Sequence, residues 1–223
     1  MDLAEIWPPF GLRITTGDME LAPTREADLP ELAEIARGGV RRDGVRAFLV
    51  DWDSGTDEEI GRSIAQYQWG TRANYSPGDW TIEFTVRVDG RVVGLQGASS
   101  TDFPKTRSVK TGSWLARSEQ GRGYGTRMRR ALVTAFADHL GARTFHTGYV
   151  EGNDASRRVS EKLGYSPNGD FTIVVQGGVA CTEHQMVLRA DDIVRDDAVE
   201  VAGAEAVRRF LGITDEKADS QRS

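Results

Sequence analysis

The chain has 223 residues, 39% hydrophobic and 28% charged, with a net charge of −6 and a pI near 5.2. That length fits one large domain or one domain with an appendage, and the acidic balance argues against the broad basic footprint of a nucleic-acid binder. No apolar run approaches the ~20 residues needed to span a bilayer, and a single cysteine, Cys181, excludes an internal disulfide and a zinc cluster.

In chain order, the first eleven residues start acidic and carry Pro8, Pro9 and Gly11. They read as an irregular lead-in without a basic-then-apolar secretory signal, so a cytoplasmic, non-membrane protein is expected. Residues 13–22 read as a strand running towards Pro23. Asp28 is placed to cap a first helix, with Glu31 completing a capping box and Gly38 and Gly39 stopping it. Thr56 and Glu59 stand in the same box relation at a second helix, whose buried side is expected to be Ile60, Ile64 and Tyr67. Trp52, Trp69 and Tyr75 lie around these helices among Asp51, Asp53, Asp57 and Asp79, a mixture suited either to plain core or to a basic, partly apolar ligand.

Strict alternation follows. Trp80, Ile82, Phe84, Val86 and Val88 interleave with Thr81, Glu83, Thr85 and Arg87, which predicts a half-buried strand. Asp89-Gly90 is the preferred two-residue hairpin turn. Residues 91–99 return antiparallel with Val93 and Leu95 on one face, Asp102-Phe103-Pro104 breaks the strand, and residues 107–115 supply a third.

The stretch 120–140 then packs Gly121, Gly123 and Gly125 into five positions and runs into an apolar helical face of Met128, Ala131, Leu132, Ala135, Phe136 and Leu140. Strand, glycine loop and helix follow in that order, an arrangement in which backbone N–H groups at a helix start can grip an anion, or which merely turns the chain. A dinucleotide fingerprint fails on spacing, because Thr126 stands where a glycine or alanine is required, and no phosphate-binding Lys-Ser/Thr pair follows. Beyond Gly141, residues 144–150 read as a strand, Asn153 as the cap of a short helix ending at Gly164, and residues 171–176 and 180–188 as a hairpin about Gly177-Gly178. After residue 190 the composition turns acidic. Residues 199–201 are a short strand, 204–211 a helical turn or two, and 214–223 a disordered tail, so that 190–223 forms an extension to a main domain over 1–189.

Gln120-Gly121-Arg122-Gly123-Tyr124-Gly125 resembles the Gln/Arg-x-x-Gly-x-Gly/Ala signature of the GNAT superfamily of N-acetyltransferases. Asn153-Asp154-Ala155-Ser156 through Lys162-Leu163-Gly164-Tyr165 resembles that superfamily's second motif. The gap of about 30 residues leaves room for one helix and one strand, the crossover a parallel pair requires. The chain is most similar to the ribosomal-protein alanine N-acetyltransferase branch and to mycobacterial acyl- or succinyltransferases. The resemblance implies an α/β (α+β) GNAT fold: a mixed, mostly antiparallel central sheet with a splayed parallel strand pair and flanking helices. It also implies a cosubstrate, acetyl-CoA or succinyl-CoA, and no metal.

By that resemblance the pyrophosphate of coenzyme A is taken by the loop from Gln120 to Thr126, where glycines let the backbone approach closely. The main chain at Trp114, Leu115 and Ala116 pairs with the pantetheine arm, and the Leu115 N–H holds the developing oxyanion. Asn153, Ser156 and Ser160 complete the cofactor-binding set. A tyrosine that many relatives carry seven residues after the asparagine is replaced here by Ser160. In the similar branch the acid is the serine three residues after the asparagine, Ser156, whose hydroxyl serves equally well as a helix cap. The base is open among Glu119, Asp102 and Glu83, with water or His146 as further options, because Arg117 stands where the branch has a glutamate.

Three functions follow. The first is acetyl transfer by direct attack of a primary amine, of a protein N-terminus, lysine, polyamine or cationic antibiotic. The second keeps the fold and uses succinyl-CoA, its carboxylate met by Lys105, Arg107 or Lys110. The third is a non-catalytic CoA sensor or interaction module, motivated by the missing tyrosine and glutamate. A homo-oligomer in which the extension packs on a neighbour is compatible with each.

Overall fold

The structure, a computed structural model, describes residues 1–195 and 198–213. The disordered tail expected for 214–223 lies outside the described residues. In chain order the elements are α1 (Leu3–Ile6), β1 (Arg13–Thr16), β2 (Met19–Pro23), α2 (Leu29–Arg37), α3 (Asp57–Ala73), β3 (Asp79–Val88), β4 (Arg91–Thr101), α4 (Phe103–Thr106) and β5 (Ser108–Leu115). There follow α5 (Tyr124–Leu140), β6 (Thr144–Val150), α6 (Asp154–Lys162), β7 (Ser166–Val175), β8 (Val179–Arg189), β9 (Glu200–Ala202) and α7 (Ala204–Phe210).

The strands form one nine-stranded sheet in the order β7-β8-β6-β5-β4-β3-β2-β1-β9. Every pair is antiparallel except β5 with β6, which run parallel. The α/β architecture expected from the motifs is therefore present. Among the described residues no helix is long and apolar enough to cross a membrane.

The alternation in β3 does what its pattern dictates. Trp80, Ile82, Phe84, Val86 and Val88 are buried against α5, whose Met128, Leu132, Phe136 and Leu140 face them. Phe136 meets Phe84 edge to face at 6.2 Å. Burying such side chains is worth about 1.5–3 kcal/mol each, so this face dominates the fold's stability. A second, smaller core of Leu32, Ala36, Val40, Ile60 and Ile64 packs α2 and α3 against Val92 and Leu95 on the other face.

Several sequence expectations change here. The single strand over 13–22 is a hairpin, because Gly17 turns the chain at φ +57°. Asp28 and Glu31 do not cap α2. The Asp28 carboxylate accepts from Arg87 at 2.8 Å and the Thr85 hydroxyl at 3.2 Å, and Glu31 accepts from the Val92 N–H at 3.2 Å. Both carboxylates therefore tie the helix to the sheet. In α3 the Thr56–Glu59 capping box is present, but the buried row is Ile60, Ile64 and Gln68, while Tyr67 stays 54% exposed. Val93 and Leu95 lie on opposite faces. A bulge between Val86 and Arg87 on β3 pairs Gly94 with Val86 but Val92 with Arg87. The extra residue turns Val93 into the α5 core and leaves Val92 and Leu95 under α2 and α3.

The acidic extension is built into the same body. β9 pairs antiparallel with β1, and Val207, Leu211 and Ile213 are buried in the main core.

Candidate active site

The backbone ladder between β5 and β6 runs only from Ser108–Thr144 to Lys110–His146, with the Thr147 hydroxyl donating to the Thr111 carbonyl just beyond it at 3.1 Å. Beyond that point they diverge, each held by its outer neighbour, β4 for Ser113 to Leu115 and β8 for Thr147 to Val150. The splay opens into a cavity of about 1300 Å³ whose walls include both strands, the glycine loop, the start of α6 and the aromatic segment before α3.

Of the residues expected to hold the cosubstrate, Trp114, Leu115, Gln120, Gly121, Gly123, Gly125, Thr126, Asn153 and Ser156 line this cavity. Gly121 and Gly123 adopt φ of +81° and +84°, the left-handed region that a side chain penalises, and a Cβ at either would project into open space. Gly123 is also the residue before the first turn of α5, so its neighbours' N–H groups are the unpaired donors of a helix start. Gly125 differs: a Cβ there would make an ordinary 3.4 Å contact with Val159.

The remaining predicted residues lie off the wall, and the Gln120 side chain braces it. Arg122 is turned outward to Glu119 at 3.4 Å. Tyr124 packs on the core cluster under the Arg127 guanidinium. The Ala116 N–H is committed to the Val93 carbonyl at 2.9 Å. Ser160 is wholly buried, its hydroxyl donating to the Ser156 carbonyl at 3.2 Å and accepting from Arg129 at 3.1 Å. The Gln120 amide braces the loop by donating to the carbonyls of Val40 and Leu115.

The residues weighed as acid and base differ in their surroundings. Asn153 Oδ1 accepts the Ser156 N–H at 3.2 Å and so caps α6 itself, which leaves the Ser156 hydroxyl unneeded for that task. Glu119 is paired with Arg91 at 3.3 Å as well as with Arg122, Asp102 with Lys105 at 3.0 Å, and neither lines the cavity. Glu83 does. It stands opposite Gly97 across the β3–β4 pair, where a Cβ would collide with its carboxylate. Burial pushes its pKa up to about 8, with the Tyr67 hydroxyl working the other way. His146 lies off the cavity wall, its pKa lowered by burial and by Lys110.

Opposite the glycine loop the wall is aromatic. Trp52 lies 5.4 Å from Trp114 and 5.0 Å from Phe48. The segment before α3 is pinned there because Asp53, its side chain 3% exposed, accepts from Arg41 at 2.7 Å and Gln176 at 2.6 Å. Trp69 and Tyr75 are not in this wall; Tyr75 stacks on Phe210 at 4.4 Å instead.

A sheet with one splayed parallel pair beside a positive-φ glycine loop at a helix start defines the acyl-CoA acyltransferase architecture. The family model for the acetyltransferase (GNAT) domain matches residues 18–166, and the chain belongs to that family. Among solved structures it is similar to RimL, a ribosomal alpha-N-protein acetyltransferase in complex with coenzyme A, at 18% identity and a TM-score of 0.65, over 81% of this chain and 99% of that one. It is similar to Mycobacterium smegmatis RimJ in complex with a CoA disulfide at 19% identity and a TM-score of 0.65, over 90% and 92%. A third, from Salmonella typhimurium, is an acetyltransferase that modifies the N-terminal serine of a 50S ribosomal subunit protein; it matches at 17% identity and a TM-score of 0.62, over 78% and 95%.

Proposed function

We propose that the protein moves an acetyl group from acetyl-CoA to a primary amine by direct attack in a ternary complex, with residues 1–189 carrying the machinery and residues 198–213 bracing it. The observation that carries this reading is the splay: an extended thioester arm fits between β5 and β6 while Glu83 faces it from β3 across one continuous cavity.

The glycine loop takes the pyrophosphate and the exposed edge of β5 takes the pantetheine amides. The Leu115 N–H polarises the thioester carbonyl. Glu83, with a pKa of about 8, accepts the proton that the attacking amine must lose, and Ser156 offers a hydroxyl hydrogen to the departing sulfur. On the acceptor side Asp51 and Glu183 supply negative charge and Trp52, Phe48 and Trp114 supply apolar surface. That combination suits an amine on a partly apolar body, and likeness to enzymes of ribosomal-protein N-termini supports a peptide α-amine.

Succinyl transfer is the second reading, and Lys110 on the cavity wall favours it; Lys105 and Arg107 do not line that wall. Thiol release from acetyl-CoA and from succinyl-CoA, measured against peptides with free N-termini, free lysine, polyamines and aminoglycosides, tests both. No release with any amine, alongside tight CoA binding, would overturn the enzyme reading in favour of a sensor. Faster release from succinyl-CoA, abolished by Lys110→Ala, would establish the second.

A further inference from the structure

Arg129 is 4% exposed in the second turn of α5 and nonetheless forms part of the cavity wall. One terminal nitrogen donates to the Ser113 hydroxyl on β5 at 3.1 Å, and the other to the Ser160 hydroxyl on α6 at 3.1 Å. Its buried Nε–H has no partner. Among the described residues no carboxylate lies within ion-pair distance of it.

A guanidinium taken out of water costs several kcal/mol unless an anion compensates it, and two serine dipoles are a weak substitute. Burial lowers its pKa while the neighbouring Tyr165 works the other way; burial in turn raises the Tyr165 pKa, so that group is a neutral phenol and the guanidinium remains charged at any working pH. The fold thus keeps an uncompensated cation between the divergent part of β5 and the helix that follows β6. It lies one to two turns into α5 from the loop that would hold the pyrophosphate. Resting on the acyltransferase reading, the anion generated in this region is the sulfur released from the thioester.

We propose that Arg129 is a catalytic residue that stabilises the coenzyme A thiolate. The amine nitrogen forms its bond to the carbonyl carbon, and the C–S bond breaks with its electron pair passing to sulfur. The amine proton passes to Glu83. The thiolate leaves paired with the Arg129 guanidinium and accepting a hydrogen bond from the Ser156 hydroxyl, and it takes its proton afterwards from solvent. No net charge is created and nothing is oxidised or reduced. Ser113 and Ser160 are positioning residues that hold the guanidinium across the splay.

The test titrates the thiolate absorbance of CoA bound to the native protein and to the Arg129→Leu, Arg129→Lys and Ser160→Ala variants. Binding of desulfo-CoA, in which hydrogen replaces the thiol, is measured alongside. A cation within ~4–6 Å lowers an acidic pKa by about 1–3 units, so the bound thiol should ionise at least about 1 unit below free CoA. Arg129→Leu should return it to the free value and lower kcat roughly 10²–10³-fold with desulfo-CoA affinity unchanged, and Arg129→Lys should restore part of both. Should the leucine variant fail to fold, the native titration and the lysine and Ser160→Ala variants decide. A native bound thiol that titrates as free CoA does would overturn the proposal, as would equal loss of CoA and desulfo-CoA affinity in the leucine variant. So would a defect confined to succinyl-CoA, which would assign the cation to an acyl carboxylate. Failure of the native protein to bind CoA at all would instead overturn the reading of the cavity.

Discussion

The Tyr67 hydroxyl donates to Glu83 Oε1 at 3.0 Å, joining the exposed side of α3 to the one carboxylate of β3 that faces the cavity. Burial raises the pKa of both groups, so the tyrosine stays a donor while Glu83 titrates at about 8. Turnover should therefore rise with pH through a limb near 8. Glu83→Gln should lower kcat/KM by about 10²–10⁴ and abolish the limb. Tyr67→Phe removes the hydrogen bond that favours the charged form and should move the limb to higher pH. A pH–rate profile of the three proteins is sufficient; an unchanged limb in Glu83→Gln would remove the residue from the mechanism.

The same group makes a stability prediction. A carboxyl whose folded pKa lies above its unfolded value contributes full stability below the unfolded pKa of about 4.5 and loses it as pH rises through about 8. Glu83→Gln should accordingly melt with the native protein at pH 4 and above it at pH 9. Thermal melts across that range check the sign.

The three glycines of the loop should not be equivalent. Gly123→Ala places a side chain at φ +84° in the space assigned to the pyrophosphate, and should cost about 1–2 kcal/mol of stability together with a large rise in the KM for acetyl-CoA. Gly125→Ala meets Val159 at an ordinary distance and should leave both nearly unchanged. Equal effects in steady-state kinetics would disprove the cradle.

Ser156→Ala leaves the Asn153 cap of α6 in place, so the variant should fold as the native protein does. Its kcat should fall while CoA affinity holds, and the fall should shrink with donors whose leaving thiol is more acidic. Calorimetric CoA binding and a series of thioester donors measure both.

Asp53 joins Arg41 to Gln176 beneath the aromatic wall. Asp53→Ala strands two polar partners at a local cost of about 1–3 kcal/mol. It should raise the KM for the amine acceptor several-fold and leave the KM for acetyl-CoA alone. The opposite split would show that the wall belongs to the donor site.

The parts of this fold legible in the sequence were those written in short-range patterns. The β3 alternation, the Asp89-Gly90 turn, the Thr56–Glu59 box and the Asn153 cap all appear where local chemistry demanded them. The site was half legible. Gly121, Gly123 and Asn153 declare themselves by type and spacing, but Glu83 reads as a solvent-side residue, because nothing in β3 says that α2 and α3 cover its second face. Arg129 carries no sign of its burial either: it lies outside the apolar row of α5, and what covers that flank is α6, a partner about thirty residues away. The bulge that divides Val93 from Leu95 has no alternation signal at all. Its trace is Gly94, where a Cβ would collide with the Trp114 carbonyl and sit 2.8 Å from Leu115 Cα.

The pairing of β9 with β1 sets the order in which the molecule can be completed. Residues 13–16 are made well before residues 200–202, which one of their two ladders needs, and Gly203 must seat its backbone against the Gly11 carbonyl. Until then the N-terminal hairpin shows an open edge of unpaired amides, the kind that recruits foreign strands. The outer edge of β1 therefore stays unpaired while the strands between are made, and it is covered only when the short β9 adds outside it.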